Sequence, residues 1–121
     1  MLNDQISKHY DLEERTFRFA NDCRLLVKKL PSTIGNIEDG RQLIKASGSV
    51  GANYIEANEA LSKKDFSMRI KISRKEAKES KYWLELLDTA DNSELESERE
   101  RLIKEATELT KIFGSIVEKS K

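Results

Sequence analysis

The stretch Ser47–Ala57 reads SGSVGANYIEA and lies within a segment that otherwise has the composition of one long helix. Glycine costs roughly 1 kcal/mol relative to alanine in a helix interior, so Gly48 and Gly51 need a compensating role. The usual role is the close approach of a second helix where a side chain would obstruct it. The stretch therefore predicts an all-α protein whose helices pack closely at small residues.

Composition supports this fold class and excludes several others. The 121 residues include one proline and five glycines, and the 22 basic residues balance the 22 acidic ones. A neutral chain has no overall field that would draw it to nucleic acid or to a membrane surface. Cys23 is the only cysteine, which fits a reducing compartment, and no apolar run reaches the ~20 residues of a membrane span. We expect a single cytoplasmic domain.

Helix-ending and helix-capping residues divide the chain into four predicted helices. Pro31 ends the first, and the pairs Ser62 with Asp65 and Ser93 with Glu96 predict capping boxes at the starts of the third and fourth. Short connections make successive helices antiparallel, so we predict an up-down-up-down four-helix bundle. The apolar periodicity predicts helices over about residues 11–30, 38–61, 63–90 and 94–119.

Helices two and three should form the tightest pair. If the chain reverses at Ser62, facing residue numbers sum to about 124, which sets Gly51 against Ser73 and Ser47 against Ala77. A phosphate-binding role for the glycines is less favoured, because that requires a helix N-terminus and these glycines are in mid-helix. The residues predicted to mediate helix packing are Ser47, Gly48, Gly51, Ser73 and Ala77.

Catalytic and metal-binding patterns are missing from the sequence. The single histidine, His9, precedes the first predicted helix, and Cys23 is on the apolar stripe of that helix, where it should act as a small hydrophobe. A di-iron site would need histidines beside its carboxylates. The candidate carboxylates, which lack such histidines, are Glu56, Glu59, Glu76 and Glu79. We expect no enzyme activity, metal or cofactor. Glu56 is expected to pair with a neighbouring helix, for example through Arg74.

Three segments together resemble a known bacterial family: Ser47–Ala57, residues 40–44 (GRQLI) and residues 74–80 (RKEAKES). In these segments the chain is similar to the four-helix-bundle proteins encoded by intervening sequences within 23S ribosomal RNA genes. The similarity extends from Asp11 to about Phe113. It implies a four-helix bundle that often assembles as a homopentameric ring. A related accessory protein of diversity-generating retroelements assembles in the same way and binds nucleic acid and a reverse transcriptase. The resemblance implies no catalytic residues.

Helix three carries the clearest functional pattern. Between Lys63 and Lys81 it has eight basic and three acidic residues. A basic ridge of this length can follow a phosphate backbone. The alternative is a solvated helix face, partly neutralised by the Lys75–Glu79 spacing. No stacking aromatic is expected beside the ridge, which predicts little sequence preference. The predicted nucleic-acid-binding residues are Lys64, Lys71, Arg74, Lys75, Lys78 and Lys81.

Surplus apolar residues predict self-assembly, because one bundle core needs only one apolar stripe on each helix. The predicted oligomer-interface residues are Phe17, Leu25, Tyr82, Trp83 and Leu86. The leading hypothesis is a non-enzymatic homo-oligomer, a pentamer by the resemblance, that binds structured RNA or DNA. The alternative is a ring that acts as a scaffold for a protein partner and has no direct role in nucleic-acid binding.

Overall fold

The computed structural model describes the backbone of residues 2–121 and the side chains of residues 12–121, and it contains four helices and no strand over that range. This confirms the all-α prediction. None of the helices in the described chain is long and apolar enough to cross a membrane. The helices are α1 (Leu2–Lys29), α2 (Ile34–Asn58), α3 (Lys63–Leu86) and α4 (Ser93–Lys119).

The four helices form an antiparallel bundle in which each helix packs against two neighbours. Arg15 and Lys29 of α1 contact Glu105 and Glu98 of α4, so residue numbers rise on one helix as they fall on the other. Within the described residues, α1 packs against α2 and α4, and α3 packs against the same two helices, while α1 and α3 do not touch. Helices α1 and α3 therefore occupy opposite corners of the bundle.

One continuous core fills the space between the helices. Phe19 and Leu26 of α1 are fully enclosed, and the Tyr54 ring of α2 packs at a tilt on Phe113 of α4, with 5.8 Å between ring centroids. Aromatic and aliphatic side chains at helical spacing thus supply the apolar burial that stabilises the bundle. Other core residues include Cys23, Ile70, Ala77, Leu102 and Leu109.

Several helix ends differ from the sequence-based prediction. Helix α1 begins at Leu2 rather than near residue 11, and α2 begins at Ile34 rather than near residue 38. The α2 start is set by Thr33, whose side chain accepts a hydrogen bond from the Asn36 amide. Gly40 is no obstacle to the longer helix, because a Cβ there would lie 2.8 Å from Cγ1 of Val27. Close packing against α1 therefore offsets the weak helix propensity of Gly40.

At the ends of α3 and the start of α4, the structure agrees with the prediction at one residue and differs at two. The Ser62 side chain accepts from the Asp65 amide, which confirms the predicted N-cap of α3. The cap of α4 is Asn92, not Ser93, and it accepts from the Glu94 and Leu95 amides. Helix α3 ends at Leu86 rather than near residue 90, because Leu87 is extended and buried. Arg99 of α4 donates to the carbonyls of Leu84 and Glu85 and so satisfies the end of α3.

The glycines of the SGSVGANYIEA stretch face α1, which corrects the predicted pairing with α3. A Cβ on Gly51 would lie 2.9 Å from Oγ1 of Thr16, and one on Gly48 would lie 3.4 Å from Nη2 of Arg24. Helix α2 packs against α1 on one side and α3 on the other. The register of the α2–α3 hairpin pairs residue numbers along the two helices, but it does not show which neighbour a given glycine faces. The small residues thus allow close approach, but between α1 and α2.

Helices α2 and α3 approach closely through a different residue. Ser73 is fully buried, and its hydroxyl donates to the Val50 carbonyl at 2.9 Å. Arg69 donates to Asn53 at 3.1 Å, so facing numbers sum to 122 or 123, close to the predicted value. Ser47 and Ala77 are also fully buried. The register of this pair follows the sequence argument, although its contact at the centre is a serine hydroxyl rather than a glycine.

Candidate nucleic-acid interface

Helix α3 turns a row of lysines away from the bundle. Lys64, Lys71, Lys75 and Lys78 are exposed, and at about 100° per residue they cluster on the outward face of the helix. We call these four residues the α3 ridge. The other two predicted residues, Arg74 and Lys81, are half-buried along one side of the ridge. The structure therefore brings the six predicted residues together along one helix, four on its crest and two on its flank.

Six cations elsewhere on the described surface form ion pairs. Three ion pairs join α1 to α4: Arg15–Glu105, Asp22–Arg101 and Lys29–Glu98. Others lie within one helix or its end, namely Arg18–Glu14, Arg99–Glu96 and Lys121–Glu118. Among the described side chains, no residue of the α3 ridge has an ion-pair partner. The Lys75–Glu79 spacing therefore does not produce an ion pair, and the ridge retains its positive charge.

The flank of the ridge is shaped by contact with α4. The aliphatic part of Arg74 lies beside Gly114, with 3.7 Å between its Cδ and the position that a glycine Cβ would occupy. This contact directs Arg74 toward α4, whereas Glu56 is exposed on α2, so the suggested Glu56–Arg74 pair does not form. An arginine held by its stem can present its charged end beside the ridge.

One carboxyl group near the ridge has a perturbed pKa. Burial raises the pKa of Glu76, and the neighbouring Glu79 adds to this effect, while Lys75 and Lys45 oppose it. Half-buried Glu76 therefore holds its proton more readily than an exposed glutamate.

An exposed aromatic side chain stands at the C-terminal end of the ridge, contrary to the expectation of none. Tyr82 is 57% exposed and shares a shallow depression with Lys75, Lys78 and Lys81. Its ring meets the Trp83 ring edge to face, with centroids 5.0 Å apart and planes at 77°. Tyr82 is one helical turn after Lys78. The surplus of apolar residues at this end of the helix instead predicted Tyr82 as an oligomer-interface residue.

The predicted interface residues divide between two faces. Phe17 and Leu25 are exposed on α1, and Leu86 is exposed beside Tyr82 on α3. Trp83 is half-buried and packs against the core, so most of its apolar surface is already used within the monomer. Phe17 also lines an open groove of about 350 Å³ between α1 and α2, opposite Ile55. Its lining also includes small residues and polar side chains, among them Ala20, Gly48, Gly51, Ala52, Asn21 and Arg24.

A second groove runs between α1 and α4 but has balanced charge. Its lining includes four basic and three acidic side chains, and two of the cross-helix ion pairs span it. Such a surface has little net attraction for a charged ligand. The charged residues that line it are Arg15, Arg18, Asp22, Arg101, Lys104, Glu105 and Glu108.

Among the described residues, the structure supports neither a nucleophilic cysteine nor a metal site. Cys23 is fully buried, and burial raises the pKa of its thiol to about 12, with a hydrogen bond to Ser47 opposing the shift. A thiol with such a pKa is a poor nucleophile. The His9 side chain is outside the described residues. Over the part of the chain that is described, no group of three or more histidine, cysteine or acidic side chains could hold a metal ion.

The sequence profile of the 23S rRNA-intervening sequence proteins matches residues 8–115, which is nearly the whole chain. The chain belongs to this family. The 23S rRNA-intervening sequence family was the one that the segments around Ser47–Ala57 indicated, and the four-helix architecture agrees with that resemblance. Membership covers all of the α3 ridge and both predicted apolar faces.

A solved structure supports the same assignment. A crystal structure of a protein of unknown function from the S23 ribosomal protein family of Bacteroides thetaiotaomicron VPI-5482 is similar, with a TM-score of 0.74 and 30% identity. The alignment covers 92% of this chain and 98% of that one. The comparison with curated proteins gave no match. Membership in the 23S rRNA-intervening sequence family thus agrees with the four-helix fold, and the solved relative is itself described as a protein of unknown function.

Proposed function

We propose that the protein is a non-enzymatic, homo-oligomeric helical bundle that binds structured RNA or DNA through the α3 ridge. The observation that supports this most strongly is the row of exposed lysines without ion-pair partners along one face of α3, on a chain whose basic and acidic residues are equal in number. Lysines that approach phosphates release condensed counterions, which supplies affinity without reading the sequence. The names of the family and of the solved relative both refer to the ribosome, which favours RNA over other polyanions. A cytoplasmic location is part of this proposal.

Assembly would strengthen a weak contact. A single four-lysine ridge offers few phosphate contacts, whereas several ridges on one ring act together through their effective concentration. Phe17 is 71% exposed on α1, and Leu86 is exposed on α3 at the opposite corner of the bundle. Two different apolar patches on opposite sides of a subunit suit head-to-tail contacts, which close into rings. We expect light scattering to give a mass several times 13.9 kDa, fivefold for the pentamer that the family resemblance suggests.

The proposal is tested by reversing charge at two ridge positions. Lys71→Glu with Lys78→Glu changes two exposed lysines seven residues apart on α3. The matched control is Lys104→Glu with Lys111→Glu, two exposed lysines with the same spacing on α4. Binding of an RNA hairpin is measured by fluorescence anisotropy at low salt. We expect the α3 variant to lose at least tenfold in affinity and the α4 variant to lose much less. Equal losses would mean that only net charge matters, and the ridge assignment would fail.

A second candidate function is a scaffold for a protein partner, and the groove between α1 and α2 favours it. Phe17 and Ile55 are exposed and line this groove together with several small residues, an arrangement that suits the apolar face of a partner helix. Binding through such a groove buries apolar surface and depends little on salt, in contrast to binding at phosphates. An intact assembly that binds neither RNA nor duplex DNA at low salt would favour this function over the first.

A further inference from the structure

The end of the α3 ridge combines positive charge with an exposed aromatic ring. Tyr82 follows Lys78 by four residues and Lys75 by seven, so the three side chains emerge from the same side of the helix. At 1.5 Å per residue, the Tyr82 backbone is about 6 Å further along α3 than that of Lys78. All three residues line one shallow depression. A nucleic-acid strand that contacts the lysines therefore passes within reach of the tyrosine ring.

The Tyr82 ring contacts the ring of its neighbour in the chain. Trp83 is half-buried and packs against the core, and its ring meets Tyr82 in an edge-to-face contact. Edge-to-face pairs are a favoured aromatic geometry, so this contact holds Tyr82 in place without covering it. More than half of the Tyr82 side chain stays accessible. An aromatic ring held by a buried partner loses little conformational freedom when a second ring stacks on it.

We propose that Tyr82 is a stacking site for an unpaired nucleobase, and that the preferred ligand is therefore RNA or DNA with a single-stranded segment or an unpaired loop. This inference rests on the proposed function of the α3 ridge and adds the class of nucleic acid to it. Bases inside a duplex are already stacked on their neighbours, whereas an unpaired base can stack on an aromatic side chain. Stacking of this kind is tolerant of sequence, because every base has a π-face.

Two carboxylates also line the depression around Tyr82. Glu79 and Glu85 line it together with Tyr82. Their charge repels phosphate from the immediate surroundings of the tyrosine ring, while Lys75, Lys78 and Lys81 attract it. A carboxylate can accept a hydrogen bond from the amino group of a base. The charged groups beside Tyr82 thus favour a strand whose phosphates lie on the lysines and whose base reaches the ring.

The test compares two ligands across a small set of variants. The probes are a fluorescein-labelled 20-nucleotide single strand and a blunt duplex of equal length, each titrated at the same salt concentration. The variants are Tyr82→Leu, which removes the ring but keeps an apolar side chain, Tyr82→Phe, which keeps the ring, and Met68→Ala. Met68 is a matched control, because it is exposed at the other end of the same helix face. The measured quantity is the ratio of single-strand to duplex affinity.

We expect Tyr82→Leu to lower this ratio between about fivefold and about a hundredfold, the range found when stacking aromatics are removed. Tyr82→Phe should restore the ratio, and Met68→Ala should not change it. If the wild-type protein binds both probes and Tyr82→Leu leaves the ratio unchanged, the stacking site is wrong while the ridge stands. If Tyr82→Leu instead lowers the mass measured by light scattering, Tyr82 is a subunit contact and the inference is overturned. A wild-type protein that binds neither probe overturns both proposals.

Discussion

Arg15 of α1 and Glu105 of α4 form a two-pronged ion pair, with Nε to Oε2 at 2.7 Å and Nη2 to Oε1 at 2.8 Å. It is the first of three cross-helix pairs whose polarity alternates along the seam, since Asp22 pairs with Arg101 and Lys29 with Glu98. Slipping α4 by one turn would set Arg101 against Arg15 and Glu98 against Asp22. The alternation therefore opposes the wrong register as well as stabilising the right one.

We expect Glu105→Gln to lower the free energy of unfolding by about 1 kcal/mol, the upper part of the range for partly exposed ion pairs. The exchange Arg15→Glu with Glu105→Arg should recover part of this loss, because it restores opposite charges across the seam. Urea unfolding of wild type, Arg15→Glu, Glu105→Arg and the double variant gives the coupling energy of the pair. A coupling energy of zero would contradict the role assigned to the pair.

The glycines provide a comparison between two helix-interior positions. Gly51→Ala should destabilise the bundle by about 1–3 kcal/mol, because its Cβ would lie 2.9 Å from Oγ1 of the buried Thr16. Gly114→Ala should stabilise it by up to about 1 kcal/mol, since a Cβ there meets only ordinary contacts with Arg74 and the helix gains propensity. Both are read from thermal and urea unfolding. A stabilising Gly51→Ala would refute the close approach of α1 and α2.

Much of this architecture could be predicted from the sequence, and the errors have identifiable causes. The number of helices, the Ser62 cap and the α2–α3 register follow from local patterns, and family membership follows from the segments around Ser47–Ala57. The α4 cap was misassigned by one residue, because Asn92 and Ser93 are both good capping residues. The predicted helix partner of Gly51 was wrong, because the spacing of small residues indicates that another helix approaches closely but does not identify that helix.

The residues of the candidate site could be predicted from the sequence, but the contacts that the neighbouring side chains make could not. The ridge lysines follow from helical periodicity, because the positions between them carry the apolar residues that face the core. The contact between Arg74 and Gly114 depends on α4, and the exposure of Tyr82 depends on how Trp83 packs. Neither is encoded in the local pattern, so both required the assembled bundle.

A buried side chain that local sequence patterns do not reveal ties the two connections at one end of the bundle. Asn36 donates to the carbonyls of Pro31 and Asp88 and accepts from the Asp88 amide, at 2.8–3.0 Å. Asn36→Ala removes all three hydrogen bonds and leaves the backbone groups of Asp88 without this partner. We expect a loss of about 2–3 kcal/mol in the free energy of unfolding. A change below about 0.5 kcal/mol, typical of surface positions, would mean that water replaces the amide at no cost.

Glu76 should make stability depend on pH. Its pKa is raised in the folded protein, chiefly by burial, so the folded state binds its proton more tightly than the unfolded state. The stability from this group is complete below the unfolded pKa and is lost as pH rises through the folded pKa. Glu76→Gln, which stays neutral, should therefore be more favourable relative to wild type at pH 7 than at pH 4. Equal differences in unfolding free energy at the two pH values would contradict the shift.

The salt dependence of RNA binding tests the α3 ridge most directly. Each phosphate contact contributes about 0.9 to the slope of log affinity against log salt concentration for a duplex. We predict that affinity of the wild-type protein for an RNA hairpin falls steeply with salt. Lys71→Glu with Lys78→Glu should reduce the slope by about 2 for each ridge engaged, with mass and helicity unchanged. A slope that is the same in the variant and the wild type would contradict the account.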